Sequence, residues 1–176
     1  FSITTMTDYA PGLPVAVDYH RERPTDTLGK VLADNGKLQV RIAETEKYAH
    51  ITYFFNGLAD EPSPGEYRIL IPSRRVARHD EAPEMAATAI TDRALLALAE
   101  GSYDFMLVNY ANADMVAHTG NFDATVRAVT AVDRELARLL DAVLAGDHQL
   151  IVTADHGNAE VLIDPTTGAT ETGHNP

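Results

Sequence analysis

The sequence predicts an α/β domain with a mostly parallel sheet. Two observations carry that expectation. Short apolar runs alternate with amphipathic helical stretches along the chain, and two of those runs lead straight into polar, chemistry-bearing residues. In such sheets functional groups gather just beyond the carboxyl ends of strands. With 176 residues, 45% of them hydrophobic, the chain has enough material for one globular core.

The elements follow in order. Residues 2–6 are rich in Thr and alternate loosely, which predicts a strand. Asp8-Tyr9-Ala10-Pro11-Gly12-Leu13-Pro14 reads as a turn or extended linker, and the polar stretch 18–24, ending in Pro24, as a connector. A helix begins at Thr25 or Thr27 and runs to Asn35, with Leu28, Val31 and Leu32 as its apolar stripe and Gly36 as its stop. Residues 39–43 read as a strand, 48–55 as a helix and 68–71 as a strand. Residues 91–100 form a helix that Thr91 would cap and Gly101 would end. Phe105–Asn109 is a short buried strand. Asn121 caps a long helix whose stripe is Phe122, Val126, Val129, Val132, Leu136, Leu140 and Val143, and Gly146 ends it. Leu150-Ile151-Val152-Thr153 is expected to be a second interior strand.

Composition narrows the function classes. The formal net charge of −12 leaves no basic footprint, so nucleic acid is not an expected partner. No apolar run reaches the roughly 18–20 residues of a membrane helix, and Phe1-Ser2-Ile3-Thr4-Thr5 does not look like a signal peptide. The chain has no cysteine, which fits a cytoplasmic location. It excludes thiolate sites and leaves His and carboxylate side chains as metal ligands.

Three places carry chemistry. Asp114 and His118 stand four residues apart just past a predicted strand. On a helix they project from one face, where a carboxylate and an imidazole can hold one divalent cation; an exposed polar pair has the same spacing. Thr153-Ala154-Asp155-His156-Gly157-Asn158 begins where the Leu-Ile-Val run ends. Asp155 and His156 on a tight turn can both face a metal, and the competing reading is a plain Asx turn. His174 lies in Glu171-Thr172-Gly173-His174-Asn175-Pro176 and by itself is an ordinary loop histidine. Lys47, between a predicted strand and a predicted helix, can meet an anionic group or simply point into solvent. His20, His50, His79 and His148 fall in no pattern and read as surface or packed residues.

Together these residues resemble a known family. The stretch 41–55 (RIAETEKYAHITYFF), then Asn112-Ala113-Asp114-Met115-Val116-Ala117-His118-Thr119-Gly120, then 153–160 (TADHGNAE), are similar to the cofactor-independent phosphoglycerate mutases in order and spacing. The resemblance covers nearly the whole chain. The ADHGN turn alone recurs across the wider alkaline-phosphatase-like superfamily, and the ETEKYAH segment points to this family in particular.

The resemblance implies a three-layer, alkaline-phosphatase-like fold, incomplete here. It implies two divalent metal ions: one held by Asp114, His118 and His174, the other by Asp155 and His156. Mn²⁺ is the usual ion in bacterial members, and Zn²⁺ or Co²⁺ also suit these ligands. Lys47 would contact the transferring phosphoryl group. The substrate would be a phosphoglycerate, converted between its 2- and 3-phospho forms through a phosphoserine. The family's serine and a further Asp ligand have no counterpart in this sequence, so the chain is expected to be an inactive piece of a protein that is monomeric when whole. Residues 1–18 would be the end of an inserted phosphotransferase domain, 19–24 a hinge, and 25–176 the C-terminal part of the phosphatase-like domain. Where the family commonly shows His-Thr-x-His, Glu171 stands in the first place and only His174 matches. The alternatives are a phosphopentomutase or metal-dependent phosphatase of the same superfamily, or a non-catalytic domain that kept the fold.

Overall fold

The computed structural model describes residues 2–10, 12–20 and 22–175. Pro11 of the expected turn and Arg21 of the expected hinge lie outside them. Strand β1 (Thr4–Thr7) pairs in parallel with β2 (Ala16–Tyr19) as a small sheet of its own. Ile3, Met6, Tyr9, Leu13 and Tyr19 are all exposed there. The connector expected over 18–24 is therefore partly strand, because Val17 and Tyr19 continue a β-favouring alternation past Asp18.

Helix α1 (Leu28–Asp34) starts where Thr27 accepts a hydrogen bond from the Lys30 N–H, which satisfies one of the unpaired donors of the first turn. The chain then enters β3 (Gln39–Glu44), the centre of a three-stranded parallel sheet of order β4-β3-β5, with β4 spanning Glu66–Ile71 and β5 Phe105–Asn109. Every residue of β3 is buried. Side chains alternate across a strand, so the two faces of β3 are distinct. Val40 and Ile42 pack with Ile90, Ala94 and Ala97 of α2 (Ala87–Glu100) and with Leu139 of α4 (Phe122–Ala145).

Gln39 and Arg41 face the other way, towards α1 and the helical stretch after β3. The Arg41 guanidinium donates to Ile51 O, Asn56 Oδ1 and Gln39 Oε1, and lies 3.2 Å from Glu66 Oε2. A buried charge is tolerated only when matched and hydrogen-bonded in this way. A Cβ on Gly29 would overlap Arg41 Nη2, so the absence of a side chain at Gly29 is what lets α1 close over the guanidinium. The result is three layers, with α2 and α4 on one side of the sheet and α1 on the other.

Two expectations fail. Helix α2 begins at Ala87, four residues before Thr91. The run Ala86-Ala87-Thr88-Ala89 is already helix-favouring, and the Thr91 hydroxyl, rather than capping, bonds within the helix to Ala87 O and to the Tyr110 hydroxyl. Residues 150–153 form no strand. Ile151 is 85% exposed and Val152 63%. A strand needs a hydrogen-bonded neighbour, and among the described residues no strand pairs with this run.

Candidate metal centre

β5 ends at Asn109, and α3 (Asn112–Ala117) follows almost at once, at the carboxyl end of the sheet. Asp114 lies in the first turn of α3 and His118 is its C-cap residue, so the spacing of four puts both on one side, with Asp114 Oδ1 3.1 Å from His118 Nε2. His174 arrives from a distant segment that an antiparallel bridge between Gly157 and Asn175 pins in place. Its Nε2 is 3.3 Å from Asp114 Oδ1 and 3.2 Å from His118 Nε2. Ligands about 2.0–2.1 Å from a tetrahedral ion stand about 3.3–3.4 Å apart, so three donor atoms 3.1, 3.2 and 3.3 Å apart form nearly one face of such a polyhedron.

The imidazole tautomer is set by the backbone. His118 Nδ1 lies 2.6 Å from Thr172 O, and a carbonyl oxygen only accepts, so Nδ1 carries the proton and Nε2 keeps its lone pair for the triangle. Glu171 shapes the turn that presents this carbonyl: its Oε1 accepts from the N–H groups of Thr172 and Gly173. The residue that stands where the family pattern has histidine thus serves the turn and is not among the clustered donors.

Asp155 and His156 sit on the turn expected of them, beside this triangle. His156 Nε2 is 3.6 Å from Asp155 Oδ2 and 4.0 Å from Asp114 Oδ1, and its ring stacks on His174 with centroids 3.8 Å apart. A Cβ on Gly157 would meet Glu160 Oε1, so any larger residue there would displace that carboxylate. The structure therefore brings all five residues singled out as ligands to one place, with His118, His174 and His156 around Asp114 Oδ1 and Asp155 at the exposed rim.

Lys47 is 4% exposed, not solvated, and its Nζ lies 2.7 Å from Asp114 Oδ2. Burial alone would raise the Asp114 pKa. Hydrogen bonds from Lys47 and Asn158, with the charge on Lys47, outweigh burial and hold it at about 2. Asn158 donates to Asp114 Oδ1 at 2.8 Å. Sequence reasoning passed over Asn158, the Thr172 carbonyl and His50. Burial, then the Lys47 charge, pushes the His50 imidazole below its ordinary pKa, against the opposing charges of Asp155 and Asp114. The signal for Asn158 was its position directly after the Asp155-His156-Gly157 turn. A cavity of about 420 Å³ opens beside His118, lined also by Arg78, His79, Met115 and Thr119.

Comparison with known proteins gives the family. The model of the metalloenzyme superfamily matches residues 19–175. This chain belongs to the metalloenzyme superfamily. Among curated relatives, it is 49% identical over 173 residues to the 2,3-bisphosphoglycerate-independent phosphoglycerate mutases of Francisella tularensis subsp. novicida (strain U112) and Shewanella sp. (strain ANA-3). Those alignments take in 98% of this metalloenzyme chain and 34% of each relative, so the chain spans about a third of their length. The same holds for a solved structure, Leishmania mexicana phosphoglycerate mutase at low cobalt concentration. It superposes with a TM-score of 0.86 at 34% identity, covering 98% of this chain and 34% of that one.

Proposed function

We propose that this chain is the metal-binding, C-terminal part of a cofactor-independent phosphoglycerate mutase, which interconverts 2-phosphoglycerate and 3-phosphoglycerate through a phosphoserine on the whole protein. The observation that carries this reading is the triangle of Asp114 Oδ1, His118 Nε2 and His174 Nε2. It is supported by 49% identity over almost the whole chain to named mutases. One carboxylate and two imidazoles suit a divalent transition ion, for which Mn²⁺ is proposed and Zn²⁺ and Co²⁺ fit the same donors. Asp155 and His156 would hold a second ion.

When bound, the ions supply charge neutralisation at phosphoryl oxygens and acidify an attacking hydroxyl. The chain's own residues supply the rest. Asp114 stays ionised at every physiological pH, because Lys47 and Asn158 favour its charged form. The Thr172 carbonyl keeps His118 in the tautomer with Nε2 free. An ammonium has three N–H donors; Asp114 takes one from Lys47, leaving two to grip phosphoryl oxygens. Residues 1–18 are assigned to the end of an inserted phosphotransferase domain, 19–24 to a hinge and 25–176 to the phosphatase-like domain. Since β2 extends to Tyr19, bending falls at His20 or later. The whole protein is proposed to be a cytoplasmic monomer acting in glycolysis on a small-molecule substrate. No helix among the described residues is long and apolar enough to cross a membrane.

The test is an assay of 2- to 3-phosphoglycerate conversion, without added 2,3-bisphosphoglycerate, on a polypeptide that joins this chain to its upstream sequence. Activity should vanish on chelation and return with Mn²⁺. Conversion by the 176 residues alone, or none by the metal-loaded longer polypeptide, contradicts the proposal.

A further inference from the structure

The three segments that carry the clustered ligands are α3, the turn at 155–157 and the stretch around His174; Asn158 directly follows the second and is hydrogen-bonded to residues of the other two. Its side-chain N–H donates to Asp114 Oδ1 at 2.8 Å. Its backbone N–H donates to Glu160 Oε2 at 2.8 Å, which fixes the end of the turn. Its carbonyl accepts from Asn175 Nδ2 at 3.0 Å, and the Asn175 N–H in turn donates to Gly157 O at 2.8 Å. Asn158 is 4% exposed, so these bonds are shielded from water.

We infer that Asn158 is a positioning residue for the cation: its side chain selects which oxygen of Asp114 is offered to the ion. The inference rests on the metal reading above. Asp114 has two chemically equivalent oxygens, and the structure distinguishes them by their donors. Lys47 holds Oδ2 with a full positive charge, while the neutral amide of Asn158 holds Oδ1. The oxygen directed at His118 and His174 is thus the one whose hydrogen bond leaves its negative charge uncompensated. A cation in its place beside Oδ1 would repel the divalent ion, and an apolar group would leave the carboxylate free to rotate about its last torsion. Asn158 Oδ1 itself is buried without a partner in the protein, so the amide is held by the bond it makes to Asp114 and by its backbone.

The test is a double-mutant cycle on metal affinity, read by calorimetry with Zn²⁺, whose affinity for imidazoles keeps the weakened variants measurable. Asn158→Ala and the volume-conserving Asn158→Leu should each weaken binding about 10–100-fold, the usual effect of losing a partner of a metal ligand. In an Asp114→Ala background, where His118 and His174 remain, the same changes should weaken binding by less than about threefold, because Asn158 acts through Asp114. A merely structural role would give equal losses in both backgrounds, and that result overturns the inference. So does unchanged affinity of both Asn158 variants in the parent. If Asp114→Ala alone leaves affinity unchanged, the metal reading falls together with the inference; if only the Asn158 effects are missing, the metal reading stands.

Discussion

Lys47 Nζ sits 2.7 Å from Asp114 Oδ2, so the carboxylate that faces two histidines with one oxygen is tied to an ammonium by the other. The pair is nearly closed to water, with side-chain exposures of 5% and 13%. Replacing Lys47 with Met should therefore act on two quantities differently. Turnover in the mutase reaction proposed for the whole protein should fall about 10²–10³-fold, the scale for losing one fixed donor to developing charge. Metal affinity should change by less than about tenfold, since Lys47 does not touch Oδ1. Steady-state kinetics and calorimetry on the same preparation read both.

The acid limb of stability should be governed by Glu66 and opposed by Glu44. Burial would raise the Glu66 pKa, but hydrogen bonds from Asn56, the Ser63 N–H and Arg68, with the Arg41 charge, hold it below the ordinary value. A carboxylate with a depressed folded pKa stabilises the fold above its unfolded value, about 4.3, and that contribution is lost as pH falls through the folded value. Glu44 has the opposite sign. Burial raises its pKa despite bonds from Ser73 and the Ala86 N–H, so its ionisation costs stability at neutral pH. Urea denaturation between pH 3 and 7 should show Glu66→Gln less stable at pH 7 and flatter below about pH 4. Glu44→Gln should be no less stable than the parent at pH 7.

Gly29→Ala tests how closely α1 rests on the buried guanidinium. The new Cβ would meet Arg41 Nη2, an atom held on several sides by Gln39 and Glu66. The substitution should cost about 1–3 kcal/mol, the usual range for overpacking a filled interior, and thermal unfolding should show it as a lowered Tm with unchanged helix content.

Much of this architecture was legible from local pattern. The long helix α4 runs from Phe122 to Ala145 between the Asn121 cap and Gly146 foreseen for it, and β5 occupies the five residues assigned to it. Those signals are local: a cap side chain, a glycine, a run of apolar residues. What local pattern missed depends on neighbours. Leu150-Ile151-Val152 has a strand's composition, yet composition does not supply a hydrogen-bonding partner, and the run lies exposed. Arg41 is a cation within a strand and is nonetheless wholly buried, because Gly29, Asn56 and Glu66 come from three other segments to receive it. At the candidate site the spacing of Asp114 and His118 was readable as an i, i+4 pair. The place of His174 was not, since backbone pairing between Gly157 and Asn175 carries it across.

The most direct test of the account is a crystal of this chain soaked in Mn²⁺ and measured for anomalous scattering at the manganese edge. The account predicts a strong peak within bonding distance, about 2.0–2.2 Å, of Asp114 Oδ1, His118 Nε2 and His174 Nε2, lost in an Asp114→Ala, His118→Ala double variant. Manganese bound tightly elsewhere, with no peak between these three atoms, would contradict it.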